Sequence, residues 1–101
     1  MPHPRSHTHT HARTLARSYT EKADVFSFAI VCWEMLTRQC PFADLTAIQT
    51  AMAVLNYGLR PPMPDWAPLP FVSLVRRCWD TNPVVRPDFL TILEELEQMS
   101  A

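Results

Sequence analysis

The chain has 101 residues, of which 48% are hydrophobic and 19% charged, and its formal net charge is −1. These values are typical of one small folded domain and exclude a chain that is disordered throughout. The sequence contains a single glycine, which excludes both Gly-rich phosphate-binding motifs, G-x-G-x-x-G and the P-loop. Residues 19–101 hold six basic and ten acidic side chains, and this acidic balance argues against a nucleic-acid partner.

The first segment, residues 1–18, is predicted to be a disordered tail. It contains all four histidines and three arginines, no acidic residue, and Leu15 as its one large aliphatic side chain. Such a segment buries too little apolar surface to offset the entropy lost on ordering. His7, His9 and His11 alternate and could chelate a divalent metal weakly. Because no acid or cysteine completes a ligand set, we interpret the segment as a solvated tail.

Membrane and disulfide chemistry are not expected. No apolar run approaches the roughly 20 residues of a membrane span, and the N-terminus lacks the apolar stretch of a signal peptide. The three cysteines, Cys32, Cys40 and Cys78, form no C-x-x-C pair, and their odd number argues against a disulfide framework and a zinc ribbon. The sequence therefore predicts an intracellular, cytoplasmic protein without a membrane partner. Cys32 and Cys78 are expected to act as small buried hydrophobes, and Cys40 to be exposed.

The first predicted helix is the most apolar part of the chain. Thr20 is a candidate N-cap, and Pro41 stops the helix. Between residues 25 and 36 only a serine and a glutamate are polar, so the helix is expected to lie in the protein interior. Asp24 and Glu34 would then need hydrogen-bonding or charged partners.

Three further helices follow, and no strand-like alternation occurs, so the predicted fold class is all-α. Thr46 and Gln49 form a capping box for the second helix, and Gly58 is placed to cap its C-terminus. Asp88 is the candidate N-cap of the fourth. The apolar positions that share one helix face are Ile48, Ala51, Met52 and Leu55 in the second helix and Phe71, Leu74, Val75, Cys78 and Trp79 in the third. In the fourth helix Phe89, Ile92, Leu93 and Leu96 are predicted to be buried.

Residues 19–28, YTEKADVFSF, resemble the start of helix F in protein kinases, whose pattern is Y-[ST]-x-K-[AS]-D-V-[WFY]-S-[FL]-G. Family motifs continue in the same order: W-E-M-L-T at 33–37, P-F at 41–42, R-P-P at 60–62 and C-W-D-T-N-P-V-V-R-P-D-F at 78–89. Residues 19–99 are therefore identified as part of a kinase C-terminal lobe, helices F to I. The resemblance is strongest to the tyrosine-kinase-like group, Raf-like and mixed-lineage enzymes, which mostly phosphorylate Ser and Thr.

Within helix F the resemblance implies scaffold roles. Asp24 matches the aspartate that hydrogen-bonds the backbone of the kinase catalytic loop. Val31 and Met35 match the positions that anchor the stack of residues around the adenine ring. Ala29 departs from the family, which usually has glycine there.

The resemblance also gives Arg86 a partner, because it matches the arginine that pairs with the glutamate of the A-P-E motif. Trp79 and Pro83 match residues that pack around that pair. Residues 1–18 contain no acid, so Arg86 is expected to turn to water or to bond with Asp80 or a helix-end carbonyl. On that basis, Arg86→Met is expected to be nearly neutral for stability.

The 101 residues contain no Gly-rich loop, ATP-anchoring lysine, H-R-D, D-F-G or A-P-E motif, all of which phosphoryl transfer by a kinase requires. ATP and Mg²⁺ are thus implied for a complete kinase, whereas this chain is expected to be inactive alone, without catalytic, cofactor-binding or metal-binding residues. Such a chain would be a truncated gene product, a pseudogene product or an incomplete gene model. Protein substrates or regulators are the implied partners, with self-association through an exposed helix F. The alternative is a non-catalytic helical interaction module.

Overall fold

A computed structural model describes the backbone of residues 3–100 and the side chains of residues 20–100. Within this part of the chain there are four α-helices, one short 3₁₀ helix and no strand, which confirms the all-α prediction. The elements are α1 (His3–Thr37), α2 (Ala47–Tyr57), α3 (Leu69–Cys78), the 3₁₀ helix (Pro83–Val85) and α4 (Phe89–Ser100).

Helix α1 begins earlier than the sequence predicted. Its backbone is helical from His3, so Thr20 lies inside the helix and does not cap it. The physical reason is that neither glycine nor proline occurs between Pro4 and Pro41, while a proline in the first turn is compatible with a helix. The disordered tail predicted over residues 1–18 stays a prediction, and the side chains of its alternating histidines lie outside the described residues.

The turn after α1 contains two residues with left-handed backbone. Arg38 has φ 57° and Phe42 has φ 56°, values at which glycine is usual because a Cβ clashes with the backbone. The Arg38 amide donates to the Glu34 carbonyl at 2.7 Å and closes the last turn of α1. Helix α1 therefore ends before Pro41, as predicted, and the turn that follows carries local backbone strain at Arg38 and Phe42.

The hydrophobic core lies between α1, α3 and α4. Its buried members are Val25, Ala29 and Trp33 from α1, Leu74, Val75 and Cys78 from α3, Trp79 just after it, and Ile92 from α4. The face predicted for the third helix is thereby confirmed, apart from Phe71, which is half-buried. In α4 the buried stripe is narrower than predicted, since Leu93 is 53% exposed and Phe89 41% exposed. Helix α4 packs against α3, and the Phe89 ring also lies edge-to-face on the Phe28 ring of α1, with 5.9 Å between the centroids, so Phe89 is partly covered whereas Leu93 faces solvent.

Helix α2 has the predicted caps, and its apolar face is exposed. The Gln49 amide donates to the Thr46 hydroxyl at 3.1 Å, the Thr46 amide donates to the Gln49 side chain at 2.9 Å, and Gly58 has φ 63°. No residue of α2 is buried. The exposed fractions of Ile48 and Leu55 are 74% and 79%, and Ala51 and Met52 are exposed as well, so the predicted apolar face is turned to solvent. No described element covers this face.

Two polar contacts fasten neighbouring elements to the core. The Trp33 indole donates to the Pro62 carbonyl at 2.8 Å and holds the proline-rich connector against α1. Arg77 makes a bidentate ion pair with Glu95, with 2.8 Å between Nη1 and Oε2. Arg77 and Glu95 thus join α3 to α4. Of the three tryptophans, Trp33 and Trp79 are buried and Trp66 is exposed.

Two of the three cysteines, Cys40 and Cys78, occupy the predicted environments. Cys78 is buried and Cys40 exposed, while Cys32 is only half-buried. Burial raises the pKa of the Cys78 thiol to about 11, and neighbouring Cys32 contributes to the rise. Burial also raises the pKa of Cys32. Both thiols therefore stay protonated at neutral pH and behave as apolar groups.

Candidate functional site

One face of α1 brings together three of the predicted scaffold residues. Asp24, Ser27, Val31 and Met35 follow helical spacing and share a face, which we call the α1 stripe. All four are exposed, with exposed fractions of 50% for Val31 and 73% for Met35. The α1 stripe lies on the other side of the helix from the core residues, so helix α1 is interior on one face only.

The exposure of Asp24 and Glu34 corrects one expectation drawn from the sequence. Asp24 and Glu34 were expected to need partners because they lie in the most apolar helix. Both are exposed to solvent, which hydrates a carboxylate without any protein partner. The prediction that Asp24 and Glu34 must be paired within the fold is therefore wrong for the described part of the chain.

A second cluster forms around Arg86. Its Nε donates to the Asp80 carbonyl at 2.9 Å, and its Nη1 donates to the Lys22 carbonyl at 2.9 Å. The Lys22 ammonium in turn donates to the Arg86 carbonyl. These bonds tie α1 to the loop before α4. Arg86 thus uses a carbonyl of Asp80, as expected, but its second acceptor lies inside α1, not at a helix end.

Arg60 reaches the same place from the proline-rich connector. Its Nε donates to the Trp79 carbonyl at 2.7 Å and its Nη1 to the Leu59 carbonyl at 2.9 Å. The guanidinium carbons of Arg60 and Arg86 lie 4.9 Å and 5.0 Å from the centroid of the Phe26 ring. Both cations therefore interact with one aromatic ring, within the range of cation–π attraction.

The two guanidinium groups line a cleft of about 350 Å³, together with Phe26, Ser27, Leu55 and Thr81. We call it the two-arginine cleft. Among residues 20–100, no carboxylate lies within 4.0 Å of either guanidinium, since the one ion pair there joins Arg77 to Glu95.

Burial and charge both act on the pKa values of these arginines. Burial lowers the pKa of Arg60, and nearby Asp80 opposes the change. Burial also lowers the pKa of Arg86, the charge of Arg60 lowers it further, and Asp80 again opposes. Both arginines keep their charge at neutral pH, and neither has an ion-paired carboxylate among residues 20–100, so the two-arginine cleft is positively charged.

The remaining predicted residues lie beside this cluster. Trp79 is 5% exposed at the end of α3, and the Pro83 carbonyl accepts a bond from the Arg86 amide at 3.2 Å. The Arg86 guanidinium nevertheless lies over the ring of Phe26. The sequence analysis singled out neither Phe26 nor Arg60 as a site residue. Both belong to motifs quoted above, but no local pattern indicates that the two residues meet.

The described side chains include no candidate metal site, and the described residues include no candidate membrane span. Among side chains 20–100, no group of three or more His, Cys, Asp or Glu could hold a metal ion. All four histidines precede residue 12 and lie outside that range. The described side chains therefore include no histidine that could act as the base for a serine or cysteine nucleophile. No helix in the described part of the chain combines the length and the hydropathy of a membrane span.

Comparison with known proteins identifies the family. The family model for protein tyrosine and serine/threonine kinases matches residues 11–96. The chain is 48% identical over 81 residues to the probable serine/threonine-protein kinase drkD of Dictyostelium discoideum, a match covering 80% of this chain and 6% of the relative. It is 44% identical over 82 residues to the serine/threonine/tyrosine-protein kinase HT1 of Arabidopsis thaliana, covering 81% of this chain and 21% of the relative.

A third relative, the serine/threonine-protein kinase STY17 of Arabidopsis thaliana, is 42% identical over 83 residues, which is 82% of this chain and 15% of the relative. The chain therefore belongs to the protein tyrosine and serine/threonine kinase family, as its motifs indicated. It spans about a fifth or less of the length of these relatives.

Proposed function

We propose that this chain forms the helical scaffold of a protein kinase whose complete reaction is ATP-dependent phosphorylation of Ser or Thr in proteins. Two of the relatives named above are serine/threonine-protein kinases and one is a serine/threonine/tyrosine-protein kinase, which supports this reaction class. The string N-Y-G-L-R-P-P at 56–62 and the Cys78-Trp79 pair support membership of the tyrosine-kinase-like group. An intracellular, cytoplasmic location and protein substrates or regulators as partners are part of the same proposal.

The observation that carries the scaffold role is the α1 stripe. Asp24 offers carboxylate oxygens, which accept hydrogen bonds from backbone amides, and it shares its face with exposed Val31 and Met35. Full burial of such an aliphatic side chain contributes roughly 1.5–3 kcal/mol. A segment that lies along the stripe would thus gain apolar contacts and have an acceptor for its backbone.

ATP and Mg²⁺ are the cofactors proposed for the complete kinase. The described residues do not fit them: among side chains 20–100 no acidic cluster could hold a metal ion, and Lys22 is engaged with the Arg86 carbonyl. No catalytic step is therefore assigned to these residues. We propose that the 101-residue chain alone is inactive.

A phosphate-transfer assay with radiolabelled ATP, Mg²⁺ and a generic protein acceptor tests this proposal. The 101-residue chain should incorporate no label above a blank without protein. A longer chain, read from in-frame genomic sequence that encodes H-R-D, D-F-G and A-P-E upstream, should be active. In that longer chain Asp24→Asn should lower activity at least about tenfold, whereas exposed Glu34→Gln should not. Transfer by the 101-residue chain itself would show that the scaffold role is wrong.

A self-associating interaction module is the second candidate, and a specific observation favours it. Val31 and Met35 on α1, and Ile48 and Leu55 on α2, are large apolar side chains that are half or more exposed. Clustered exposed apolar surface is typical of protein–protein contacts. We propose that α1 supplies the contact, through Val31 and Met35.

Sedimentation over a range of concentrations and binding of the dye ANS test this second candidate. The chain should associate with rising concentration and bind the dye. Val31→Ser combined with Met35→Ser should abolish association, while Val84→Ser, at a 78% exposed valine that does not belong to the α1 stripe, should not. A monodisperse monomer without dye binding would rule the module out.

A further inference from the structure

We propose that the first turns of α1 form a site for a divalent transition-metal ion of the Zn²⁺ and Ni²⁺ class, made by His7 together with either His3 or His11. The backbone is helical from His3, and these three histidines follow one another at intervals of four residues. The site lies within residues 3–11, which the kinase scaffold described above does not use. The proposal is therefore independent of kinase activity.

The helical register decides which histidines can share an ion. Residues four apart are neighbours on one helix face, with roughly 5–6 Å between their Cβ atoms, so His3, His7 and His11 take successive places on the same face. His9 comes two residues after His7 and is placed about 200° around the helix axis from it. An extended chain would instead bring His7, His9 and His11 together, because residues two apart then share a face.

Two histidines four residues apart on a helix are an effective chelating pair. The H-E-x-x-H motif of zinc enzymes has this spacing, and both of its imidazoles bind the ion. His3 and His11 are eight residues apart, about 12 Å along the helix axis, which is too far for both to bind one ion. One ion therefore takes one pair at a time, and His7 belongs to both pairs.

The composition of the segment selects the class of metal. Residues 1–18 contain four histidines and no Asp, Glu or Cys. Imidazole suits Zn²⁺, Ni²⁺ and Cu²⁺, whereas Mg²⁺ and Ca²⁺ are bound through oxygen ligands. Two imidazoles leave the remaining positions of the ion to water, so the site is an open one.

The sequence also allows the helix that the pairing requires. Neither glycine nor proline occurs between Pro4 and Pro41, so no residue breaks the helix across the His7–His11 interval. An ion bound across one turn binds the helical state in preference to the extended one. Metal binding should therefore stabilise the first turns of α1.

Equilibrium dialysis of the 101-residue chain against NiCl₂ tests the proposal, at about pH 7.5, where most histidine side chains are neutral and able to bind. Ni²⁺ should bind in a saturable manner, with about one ion per chain, and Mg²⁺ should not bind. The helical signal in circular dichroism should rise or stay unchanged on saturation. The absence of saturable Ni²⁺ binding, or a fall in the helical signal, would overturn the proposal.

Single substitutions distinguish the helical pairs from the extended arrangement. His7→Ala removes the member common to both pairs and should weaken Ni²⁺ binding at least about tenfold. His3→Ala and His11→Ala each leave one pair intact and should weaken it by no more than about threefold. His9→Ala, the matched control on the other face, should leave it within about twofold. A loss in His9→Ala as large as that in His7→Ala would contradict the helical site.

A last variant tests the exposed thiol as a competing ligand. Cys40 is exposed, and thiolates bind Ni²⁺ and Zn²⁺ as well. Cys40→Ser should leave the affinity for Ni²⁺ unchanged within about twofold, because residues 3–11 supply both protein ligands. Loss of binding in Cys40→Ser would place the ion at the cysteine and would overturn the proposal.

Discussion

Helices α2 and α3 have the same spacing of apolar residues, but only α3 buries them. Ile48, Ala51, Met52 and Leu55 in α2 are spaced as are Phe71, Leu74, Val75 and Cys78 in α3. Helix α3 buries Leu74, Val75 and Cys78, whereas α2 buries none of its residues. Spacing at 3.6 residues per turn therefore reports that a helix has an apolar face. It does not report whether anything covers that face.

The two helices also differ in what holds them. Helix α3 lies against α1 and is joined to α4 by the Arg77–Glu95 ion pair. Helix α2 relies on its own ends, the Thr46–Gln49 capping box and the left-handed Gly58. Because local bonds alone rarely stabilise an 11-residue helix in water, α2 should be the first of the two to open in the native state.

The largest effect expected from this comparison comes from one substitution made in both helices. Leu74→Ala removes a side chain that is 1% exposed, and it should lower the free energy of unfolding by about 2–5 kcal/mol through lost burial and a cavity. Leu55→Ala removes a side chain that is 79% exposed and should change it by less than about 0.5 kcal/mol. Urea unfolding followed by circular dichroism measures both. Equal losses would mean that α2 has a buried partner in solution.

Arg86→Met tests the polar contacts on the α1 side. The sequence led us to expect a nearly neutral change, but the structure gives Arg86 two bonds to backbone carbonyls and a place on the Phe26 ring. Leaving these carbonyls unpaired in a half-buried position should cost about 1–3 kcal/mol in the same urea experiment. Arg76→Met, at an exposed arginine of α3, serves as the control and should be neutral. Neutrality of both would show that the Arg86 bonds contribute nothing in solution.

The turns flanking α2 predict a pair of opposite effects. Arg38→Gly should raise the free energy of unfolding by about 0.5–1 kcal/mol, because a Cβ at φ 57° is strained and the relief exceeds the entropy that glycine adds to the unfolded chain. Gly58→Ala places a Cβ at φ 63° and should lower it by about 1 kcal/mol. Gln39→Gly, next to Arg38, should not stabilise. If Gly58→Ala leaves the unfolding curve unchanged, α2 opens independently of the core.

The smallest expected effect is a pH dependence confined to the α3–α4 contact. The bond from Arg77 lowers the pKa of Glu95, so the ionised carboxylate is favoured in the folded state. The contribution of the Arg77–Glu95 pair to the free energy of unfolding should be fully present above the unfolded glutamate pKa of about 4.3. It should be lost as the pH falls through the lower pKa that Glu95 has in the folded state. Since the pair is partly exposed, this amounts to less than about 1 kcal/mol.

Unfolding measured between pH 2 and 6 checks this dependence. Glu95→Gln should flatten the acid limb, and Glu94→Gln, at an exposed neighbour, should leave it as it is. Some slope should remain in the Glu95 variant, because the Thr91 amide lowers the pKa of Asp88 in the same direction. A limb of parental steepness in Glu95→Gln would show that the ion pair does not form in solution.

Features that depend on neighbouring residues in the chain could be predicted from the sequence. The capping box, the Gly58 cap and the Asp88 cap, whose carboxylate accepts from the Thr91 amide at 2.9 Å, are of this kind. The α1 stripe could also be anticipated, because the spacing of Asp24, Val31 and Met35 fixes their common face.

Features that depend on distant residues could not be predicted. Whether another element covers α2 depends on the direction that the turn after α1 gives to the chain. Two residues of that turn, Arg38 and Phe42, have left-handed backbone, and because neither is a glycine the sequence does not indicate it. The meeting of Arg60 and Arg86 on Phe26 joins three separate segments, and no periodicity or cap encodes it. The start of α1 was placed too late because residues 5–18 are mostly polar. A polar segment without glycine or proline can still continue a helix.

The unequal burial of the three tryptophans gives the protein a built-in optical reporter. Trp33 and Trp79 are 3% and 5% exposed, whereas Trp66, in the proline-rich connector, is 67% exposed. Acrylamide should therefore quench mainly the long-wavelength part of the emission, which Trp66 supplies. The shorter-wavelength emission of the other two should shift to the red only when the core opens. Steady-state fluorescence can thus follow the connector and the core separately in one unlabelled sample.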